Sequence, residues 1–342
     1  MTRHFPELGF YVLGGQPASA REALTEVREA EAMGLGTAFI SERYNLKEVG
    51  VLCGATAAVT ERIRIQTAAT NHNTRHPLVT AGMARTAQSI SGGRFVLGLG
   101  RGVRLMQDTY GIPHITTAQM EDFVGIMRRL FRGESILGHN GPAGSWPVLH
   151  LDSALREHLP MSLVAIGPES LKLAGRCFDE VILHTYFTDE TTQRCVRIVK
   201  EAAEQAGRNP DEVLVWSCFA AIGDHIPEQL RMKKSVGRLA TYLQGYGDLM
   251  VKINRWDPAV LERFRADPIV QSVPGAIDGV GTPKQLEHIA TLIPDEWLAP
   301  SATGSPEQCV AAIRNQFALG CDGVILHGAR PTELAPIMAA YN

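Results

Sequence analysis

The chain has 342 residues, of which 45% are hydrophobic and 20% charged, the composition of a water-soluble globular protein. Its 33 basic and 36 acidic residues give a net charge of −3, so a general nucleic-acid-binding surface, which needs a strongly basic field, is not expected. No apolar run reaches the roughly 18 residues that a membrane-spanning helix requires, so a membrane partner is not expected either.

Six cysteines are spread along the chain, and none of them forms a C-x-x-C pair. This pattern favours reduced thiols over a disulfide framework or a zinc site. The first ten residues lack the apolar core of a secretory signal. Together these features predict a cytoplasmic protein.

Short apolar runs alternate with helical patterns. Ser19 is expected to cap the first helix, because Glu22 follows at the spacing of a capping box. Pro77 is expected to open a later helix. The predicted strands are residues 8–13, 37–41, 63–67, 94–100, 161–166, 180–184, 213–222 and 323–327. Eight strands separated by helices predict a (β/α)8 TIM barrel. An open doubly wound sheet is the alternative, because strand order cannot be read from one sequence.

Two segments interrupt the alternation. Residues 133–160, after strand four and the helix that follows it, are rich in Gly and Pro and predict an irregular insertion with a short hairpin. Residues 224–300, after strand seven, predict a mostly helical insertion. Residues 1–342 are therefore expected to form a single barrel domain, and both insertions are expected to help form the substrate side.

The C-terminal ends of the strands define the candidate site, because barrels of this type place their active sites there. Polar or small residues stand at these ends and are the candidates for contacts with a ligand: Tyr11, Glu42, Arg43, Ala68, Ala69, Thr70, Asn71, Arg101, His184 and His327. The histidines end apolar strands, a position that favours a role in a site over a role in the core. Glu42 and Arg43 have the alternative of a simple ion pair at the barrel rim.

The end of strand five is the best candidate for a phosphate site. Gly167 would let a ligand approach the backbone closely, and a helix starting at Pro168 would present free N–H groups and the positive end of its dipole. The contacting residues would be Ile166, Gly167 and Ser170. An ordinary strand-to-helix turn explains the same residues equally well.

Two other patterns resemble ligand-binding motifs, one for a dinucleotide and one for a metal ion, but each lacks a residue that the motif requires. Residues 98–102 read GLGRG, but no acidic residue follows at the distance that a dinucleotide fingerprint requires. We interpret these glycines as making room where a ring system lies close to the backbone. His72 and His76 have the spacing of metal ligands, but they lie in a loop without a third ligand nearby, so no metal is expected.

The ordered motifs of the chain resemble those of the bacterial luciferase-like superfamily, in its branch of oxidoreductases that use the deazaflavin coenzyme F420. The matching segments span nearly the whole chain: residues 31–36 with 41–43, 67–77, 91–95 with 98–102, 173–176 with 179–181, and 304–307 with 320–324. The resemblance implies a TIM barrel, an isoalloxazine-type ring over the strand ends and a homodimer. It also implies a non-proline cis peptide at Ala68–Ala69, behind the ring, and a cofactor phosphate site at Ala165, Ile166 and Gly167.

The chain departs from its relatives at two positions. Arg43 stands where many relatives have histidine, and Val103 stands where the deazaflavin-dependent sugar-phosphate dehydrogenases have a catalytic glutamate. Sugar-phosphate chemistry is therefore not expected. The catalytic candidates are Arg43, which would stabilise developing negative charge, Glu42, which would orient it, and His184; for the general acid, Tyr11 is a further candidate beside Glu42 and His184.

The leading hypothesis is hydride transfer between coenzyme F420 and a small organic substrate, with Arg75, Arg101 and Arg104 available to attract the acidic tail of the coenzyme. One alternative is a monooxygenase of the same fold that uses reduced FMN. The other is a non-catalytic flavin- or deazaflavin-binding protein, since the histidine and the glutamate of the relatives are missing. The residues do not identify the substrate.

Overall fold

The computed structural model describes residues 3–14, 17–152 and 158–342. Its strands are β1 (Phe5–Tyr11), β2 (Leu35–Ile40), β3 (Arg64–Thr67), β4 (Phe95–Leu99), β5 (Ile136–Gly141), β6 (Gly144–Leu149), β7 (Met161–Val164), β8 (Glu180–Ile182), β9 (Leu214–Gly223), β10 (Ala302–Gly304) and β11 (Gly323–His327). The last of these has the bounds predicted from the sequence. The first begins earlier than predicted, because Phe5 pairs with Leu35 although Pro6 and Glu7 interrupt the apolar run.

Helices follow most of the strands. They are α1 (Glu22–Ala32), α2 (Val49–Val59), α3 (Pro77–Ser91), α4 (Arg104–Tyr110), α5 (Thr117–Phe131), α6 (Pro168–Cys177), α7 (Asp189–Gln205), α8 (Glu228–Met232), α9 (Arg238–Asn254), α10 (Pro258–Ala266), α11 (Pro268–Ser272), α12 (Ile277–Val280), α13 (Pro283–Ala290), α14 (Asp295–Leu298), α15 (Pro306–Ala318) and α16 (Pro331–Tyr341). The predicted cap at Ser19 is wrong, although the Glu22 carboxylate does accept from the N–H of Ser19 at 3.1 Å. The Ser19 hydroxyl accepts from the N–H of Arg21, so the helix begins only at Glu22.

The sheet closes into a barrel of eight parallel strands, in the order β11–β1–β2–β3–β4–β7–β8–β9, with β9 pairing back to β11. This confirms the predicted TIM barrel and excludes the open sheet. The barrel interior is filled by an apolar cluster of Phe39, Ala68, Ile182, Trp216, Cys218 and Ile325, with Tyr11 and Val164 packed against it. The residues at the C-terminal ends of the strands therefore surround one opening, which we call the barrel mouth.

The two insertions take different places. The first lies between α5 and β7 and contains the antiparallel hairpin of β5 and β6. The turn of this hairpin packs beside α5, where Asp122 accepts from the N–H of Ala143 at 2.9 Å. The described part of this insertion thus packs along α5, with Trp146 beside His76, and its expected contribution to the substrate side stays a prediction. Residues 153–157 lie outside the described residues.

The second insertion follows β9 and is mostly helical, as predicted, with α8 to α14. Because it leaves from the C-terminal end of a barrel strand, it covers the barrel mouth, and α9 brings aromatic and basic side chains to it. Sequence analysis missed two short elements, α4 after β4 and β10 at the end of this insertion. Across the described ranges, no helix has the length and apolar character needed to cross a membrane.

Candidate functional site at the barrel mouth

The Ala68–Ala69 peptide bond is cis, as the resemblance implies. The N–H of Ala68 donates to the carbonyl of Ile40 at 2.7 Å, and the carbonyl of Ala69 accepts from the N–H of Glu42 at 3.0 Å. The chain therefore bulges at the end of β3 while it stays bonded to β2. We call residues 68–71 the shelf.

The other edge of the shelf is bonded to the strand that follows β3 in the barrel. The N–H of Thr70 donates to the carbonyl of Gly98 at 3.0 Å, and the N–H of Gly100 donates to the carbonyl of Thr70 at 2.9 Å. The amide of Asn71 donates to the carbonyl of Gly100 at 2.7 Å and accepts from the hydroxyl of Tyr44. The shelf is thus fixed on both sides, and it presents small side chains and backbone to the barrel mouth.

Gly98 in β4 and Gly100 just after it make room for the end of β3, and the interpretation that these glycines make room for a ring stays a prediction. A Cβ added to Gly98 would lie 1.7 Å from the carbonyl oxygen of Thr67. A Cβ added to Gly100 would lie 2.9 Å from the Cβ of Ala69. Both glycines therefore face the end of β3, and they allow its bulge.

Glu42 lies behind the shelf, and its side chain is only 4% exposed. Its carboxylate accepts from the Thr70 hydroxyl at 3.1 Å and from the N–H of Val49 at 3.2 Å, and it forms a 2.7 Å ion pair with Arg75. Arg75 also pairs with Glu48. Glu42 is therefore a positioning residue for the shelf in this arrangement, and Arg75, which was expected to attract a cofactor tail, is held by two carboxylates.

The predicted phosphate site forms the start of α6, with Pro168 in its first turn as expected. Gly167 precedes the helix, and no side chain caps the free N–H groups there. A Cβ added to Gly167 would meet only Leu249, at 3.9 Å, so the backbone is open to a ligand. Ser170 lies in the first turn, while Ala165 is buried and Ile166 is partly exposed.

Arg101 points away from the open side of the mouth. Its guanidinium donates to the Thr117 hydroxyl at 2.6 Å and to the carbonyl of Ile115 at 3.3 Å, at the start of α5. Burial, with a contribution from Arg104, lowers the pKa of Arg101. These contacts hold the segment after β4, which includes α4, against the body of the barrel.

His184 meets two tyrosines that sequence analysis did not select. Its Nε2 lies 2.8 Å from the hydroxyl oxygen of Tyr246, and its ring lies 4.8 Å from that of Tyr242. Both tyrosines belong to α9, one turn apart. The four-residue spacing in TYLQGY was the available signal, but nothing in the sequence relates this insertion to the end of β8.

Arg43 also faces the second insertion. Burial lowers the pKa of Arg43, and the positive charge of Arg238 lowers it further, while Asp278 opposes the shift. Arg238 forms a 2.9 Å ion pair with Asp278. Two guanidinium groups and one carboxylate thus give this side of the mouth a positive potential.

His327 and Tyr11 complete the mouth. Their rings pack edge to face at a centroid distance of 5.3 Å. The Nδ1 atom of His327 is buried and finds no hydrogen-bond partner among the residues that the structure describes. Burial holds the pKa of His327 well below its usual value, with Arg238 and His184 adding to the effect, so the ring is neutral.

The two histidines with metal-like spacing do not share a site. His72 is buried and stacks on Phe123 at 4.9 Å, whereas His76 accepts from the N–H of Leu78 at the start of α3. Burial lowers the pKa of His72 to about 4. Within the described ranges, no three His, Cys, Asp or Glu residues are arranged to hold a metal ion.

Lys47 is a buried cation beneath the loop that follows β1. Its ammonium group donates to the carbonyls of Val12 at 2.9 Å and Leu13 at 3.3 Å, and Glu26 accepts from the N–H of Leu13 at 2.7 Å. Burial is the main cause that lowers the pKa of Lys47 to about 8, and Glu26 partly opposes it. The charged form is therefore costly in the folded protein.

This cost predicts a pH-dependent stability difference between the wild-type protein and Lys47→Met. In the unfolded chain the pKa of Lys47 returns to its ordinary value of 10.5, so the cost is fully present below pH 8 and is relieved as the pH rises from about 8 to about 10.5. Between about pH 7 and pH 10, the free energy of unfolding of the wild type should rise by about 2 kcal/mol relative to the variant. Urea unfolding of both proteins at both pH values measures this change. A difference in the free energy of unfolding that stays constant between the two pH values would contradict the prediction.

Comparisons with known proteins agree with this geometry. A sequence profile of the luciferase-like monooxygenase family matches residues 6–323. A 5,10-methylenetetrahydromethanopterin reductase from Methanolobus tindarius is 27% identical over 305 residues, which cover 86% of each chain.

Two solved structures share the fold. The coenzyme F420-dependent tetrahydromethanopterin reductase from Methanopyrus kandleri has a TM-score of 0.81 at 20% identity, over 97% of each chain. An F420-dependent secondary alcohol dehydrogenase, solved with an F420–acetone adduct, has a TM-score of 0.74 at 16% identity, over 98% of this chain and 99% of its own. With a profile match across most of its length, the chain belongs to the luciferase-like monooxygenase family.

Proposed function

We propose that this protein is an oxidoreductase that transfers a hydride between coenzyme F420 and a small organic substrate. The observation that carries the proposal is the shelf of residues 68–71, which is hydrogen-bonded to β2 and to Gly98 and Gly100 at the barrel mouth. It offers a flat surface of backbone and small side chains for one face of a ring. The relatives named as F420-dependent give the proposal further support.

The residues at the mouth fit such a coenzyme. We propose that the ring lies on Ala68, Ala69, Thr70 and Asn71. Its phosphate group would bind at Gly167, Ile166 and Ser170, next to Ala165, where the start of α6 has no side-chain cap. Arg101 would contribute by fixing the segment after β4. The bound deazaflavin supplies the hydride chemistry, and the protein supplies position and electrostatics.

The catalytic roles follow from the contacts of each side chain. Arg43, on the positive side of the mouth, would stabilise negative charge that develops on the substrate or the ring. Glu42 would act indirectly, because its carboxylate is occupied by Thr70, Val49 and Arg75. His184 is proposed as a proton-transfer residue, held by Tyr246 on the substrate side.

Cofactor binding tests the proposal directly. We expect the purified protein to bind F420 with a dissociation constant at least tenfold below that for FMN, because the mouth is proposed to be shaped for the deazaflavin. Fluorescence titration with each cofactor measures both constants. Tight uptake of FMN without binding of F420 would contradict the proposal, and failure to bind either would favour a role without a flavin-type cofactor.

A monooxygenase that uses reduced FMN is the second candidate, because the family whose profile matches is described by that activity. Oxygen consumption in the presence of a flavin reductase and FMN would distinguish it from the F420-dependent reaction. The homodimer expected from the resemblance stays a prediction.

A further inference from the structure

The second insertion delivers one hydroxyl group to His184. Tyr246 lies inside α9, but its backbone departs from helical geometry, with φ −157° and ψ 37°. At this kink its hydroxyl oxygen lies 2.8 Å from Nε2 of His184, and the two rings are nearly perpendicular, at 86°. The insertion helix α9 thus contacts the segment after β8 at the mouth, where Asn254 of the same helix also bonds to Tyr186 and Thr188.

The direction of this hydrogen bond is fixed by the other ring nitrogen. Nδ1 of His184 lies 3.1 Å from the carbonyl oxygen of Thr185, which can only accept, so Nδ1 carries the proton. Burial lowers the pKa of His184 to about 4, so the ring is neutral near pH 7 and Nε2 has a free lone pair. The hydroxyl of Tyr246 therefore donates to His184.

A donating hydroxyl keeps its oxygen lone pairs available. Over the described residues, the oxygen of Tyr246 has no other hydrogen-bond partner, and the side chain is partly exposed. A ligand that reaches this oxygen meets an acceptor, because the proton is already directed to His184. The pair is therefore arranged to receive a proton from a hydroxyl or amine group.

The pair also lies next to the proposed ring position. Thr185, adjacent to His184, contacts the sulfur of Cys218 at 3.2 Å, and Cys218 belongs to the same interior cluster as Ala68. Tyr246 and the shelf are therefore both placed near the same interior cluster of the barrel. A substrate between them would face the coenzyme on one side and the hydroxyl of Tyr246 on the other.

We propose that Tyr246 and His184 form a proton-accepting pair for an alcohol substrate. The inference rests on the proposed function, since the oxidant is bound oxidised F420. When bound, the oxidised deazaflavin would accept the hydride that the substrate releases as its carbinol C–H bond breaks. The alcohol proton moves to the oxygen of Tyr246, and the proton of Tyr246 moves to Nε2 of His184. The alcohol thereby becomes a carbonyl compound, and the imidazolium releases its proton to solvent, because burial lowers the pKa of His184 to about 4. Tyr246 is the catalytic residue of the pair, and His184 is a positioning and relay residue.

The first test needs no cofactor. In ¹⁵N NMR spectra of the unliganded protein, His184 should be the neutral Nδ1–H tautomer, assigned by the loss of its signals in His184→Ala. Tyr246→Phe should shift the Nε2 resonance of His184, whereas Tyr341→Phe, a matched substitution beside Glu7 far from the mouth, should not. An Nε2–H tautomer, or no shift with Tyr246→Phe, would overturn the proposal.

The second test uses oxidised F420 with propan-2-ol and cyclohexanol as probes, followed by the loss of the coenzyme's visible absorbance. Tyr246→Phe should lower kcat by about 100-fold, the usual contribution of a positioned acid or base, with less than a threefold change in the dissociation constant of F420. Imidazole added to the solution should restore part of the activity of His184→Ala, which a purely structural role would not allow. Tyr341→Phe should behave as wild type.

The outcomes separate this inference from the proposed function. Failure of the wild type to bind F420 would contradict the proposed function, while the NMR result would still decide the polarity of the pair. Binding of F420 without oxidation of either alcohol would overturn the inference alone. A rate for Tyr246→Phe within threefold of wild type would also overturn it.

Discussion

Replacing Gly98 with alanine should lower the free energy of unfolding by at least about 3 kcal/mol, at the upper end of the usual cost of overpacking a core. Gly98 is buried in β4, and an added Cβ would lie 1.7 Å from the carbonyl oxygen of Thr67 and 2.7 Å from the hydroxyl of Ser162. A backbone oxygen cannot rotate away as a side chain can. The substitution must therefore separate β3 from β4 directly below the shelf.

Urea unfolding monitored by circular dichroism measures this effect. Gly125→Ala is the matched control, because Gly125 is exposed within α5 and no atom lies within 4 Å of an added Cβ. That variant should be slightly more stable than the wild type, since alanine favours a helix over glycine by about 1 kcal/mol. Equal unfolding midpoints for Gly98→Ala and the wild type would show that β3 and β4 tolerate the side chain.

The barrel could be predicted from the sequence because its strands are buried on both faces. Such strands are short apolar runs bounded by turn residues, as at Gly323–His327, whose bounds are predicted without error. The order of the strands could be determined only from the structure, since closure of the barrel depends on the pairing of β9 with β11. The capping pattern at Ser19 misled the prediction, because a hydroxyl can also accept from a nearer N–H in a turn.

The candidate site was only partly predictable, for a different reason. The cis peptide bond at Ala68–Ala69 was predicted from the resemblance alone, since the periodicity of the sequence carries no information about peptide isomers. The residues at the strand ends do lie together at the mouth, but their partners could not be selected from the sequence: Tyr246 lies 62 positions along the chain from His184. Contacts of this kind depend on how the second insertion folds over the mouth, and no local pattern encodes that.

Glu42 and Arg101 illustrate the limit of selecting residues by position alone. Both stand at strand ends, where a side chain has access to the mouth, yet each directs its charge into the protein. Their charged groups fix loops beside the shelf. A charged residue at a strand end is therefore a candidate for positioning as much as for chemistry, and only its partners decide between the two.

Arg75→Met should destabilise the protein by about 3 kcal/mol, the lower end of the cost of breaking a buried ion pair. Glu42, with only 4% of its side chain exposed, would lose its charged partner but keep the hydrogen bonds from Thr70 and Val49. Because Arg75 also contacts the Thr70 hydroxyl, the shelf should loosen. On the proposed function, the dissociation constant of F420 should rise at least tenfold, measured by fluorescence titration beside urea unfolding.

Two further variants distinguish the loss of the ion pair between Arg75 and Glu42 from the loss of a positive charge in general. Arg132→Met removes an exposed arginine from a surface ion pair with Glu134, so it should leave both stability and F420 binding nearly unchanged. Adding Glu42→Gln to Arg75→Met should recover part of the stability, because a neutral amide no longer leaves a buried charge unpaired. The shelf still lacks the contact with Arg75 in this double variant.

If the double variant is no more stable than Arg75→Met, the unpaired carboxylate is not the cause of the loss of stability. If Arg75→Met binds F420 as tightly as the wild type, the pair of Glu42 and Arg75 does not position the shelf for the cofactor.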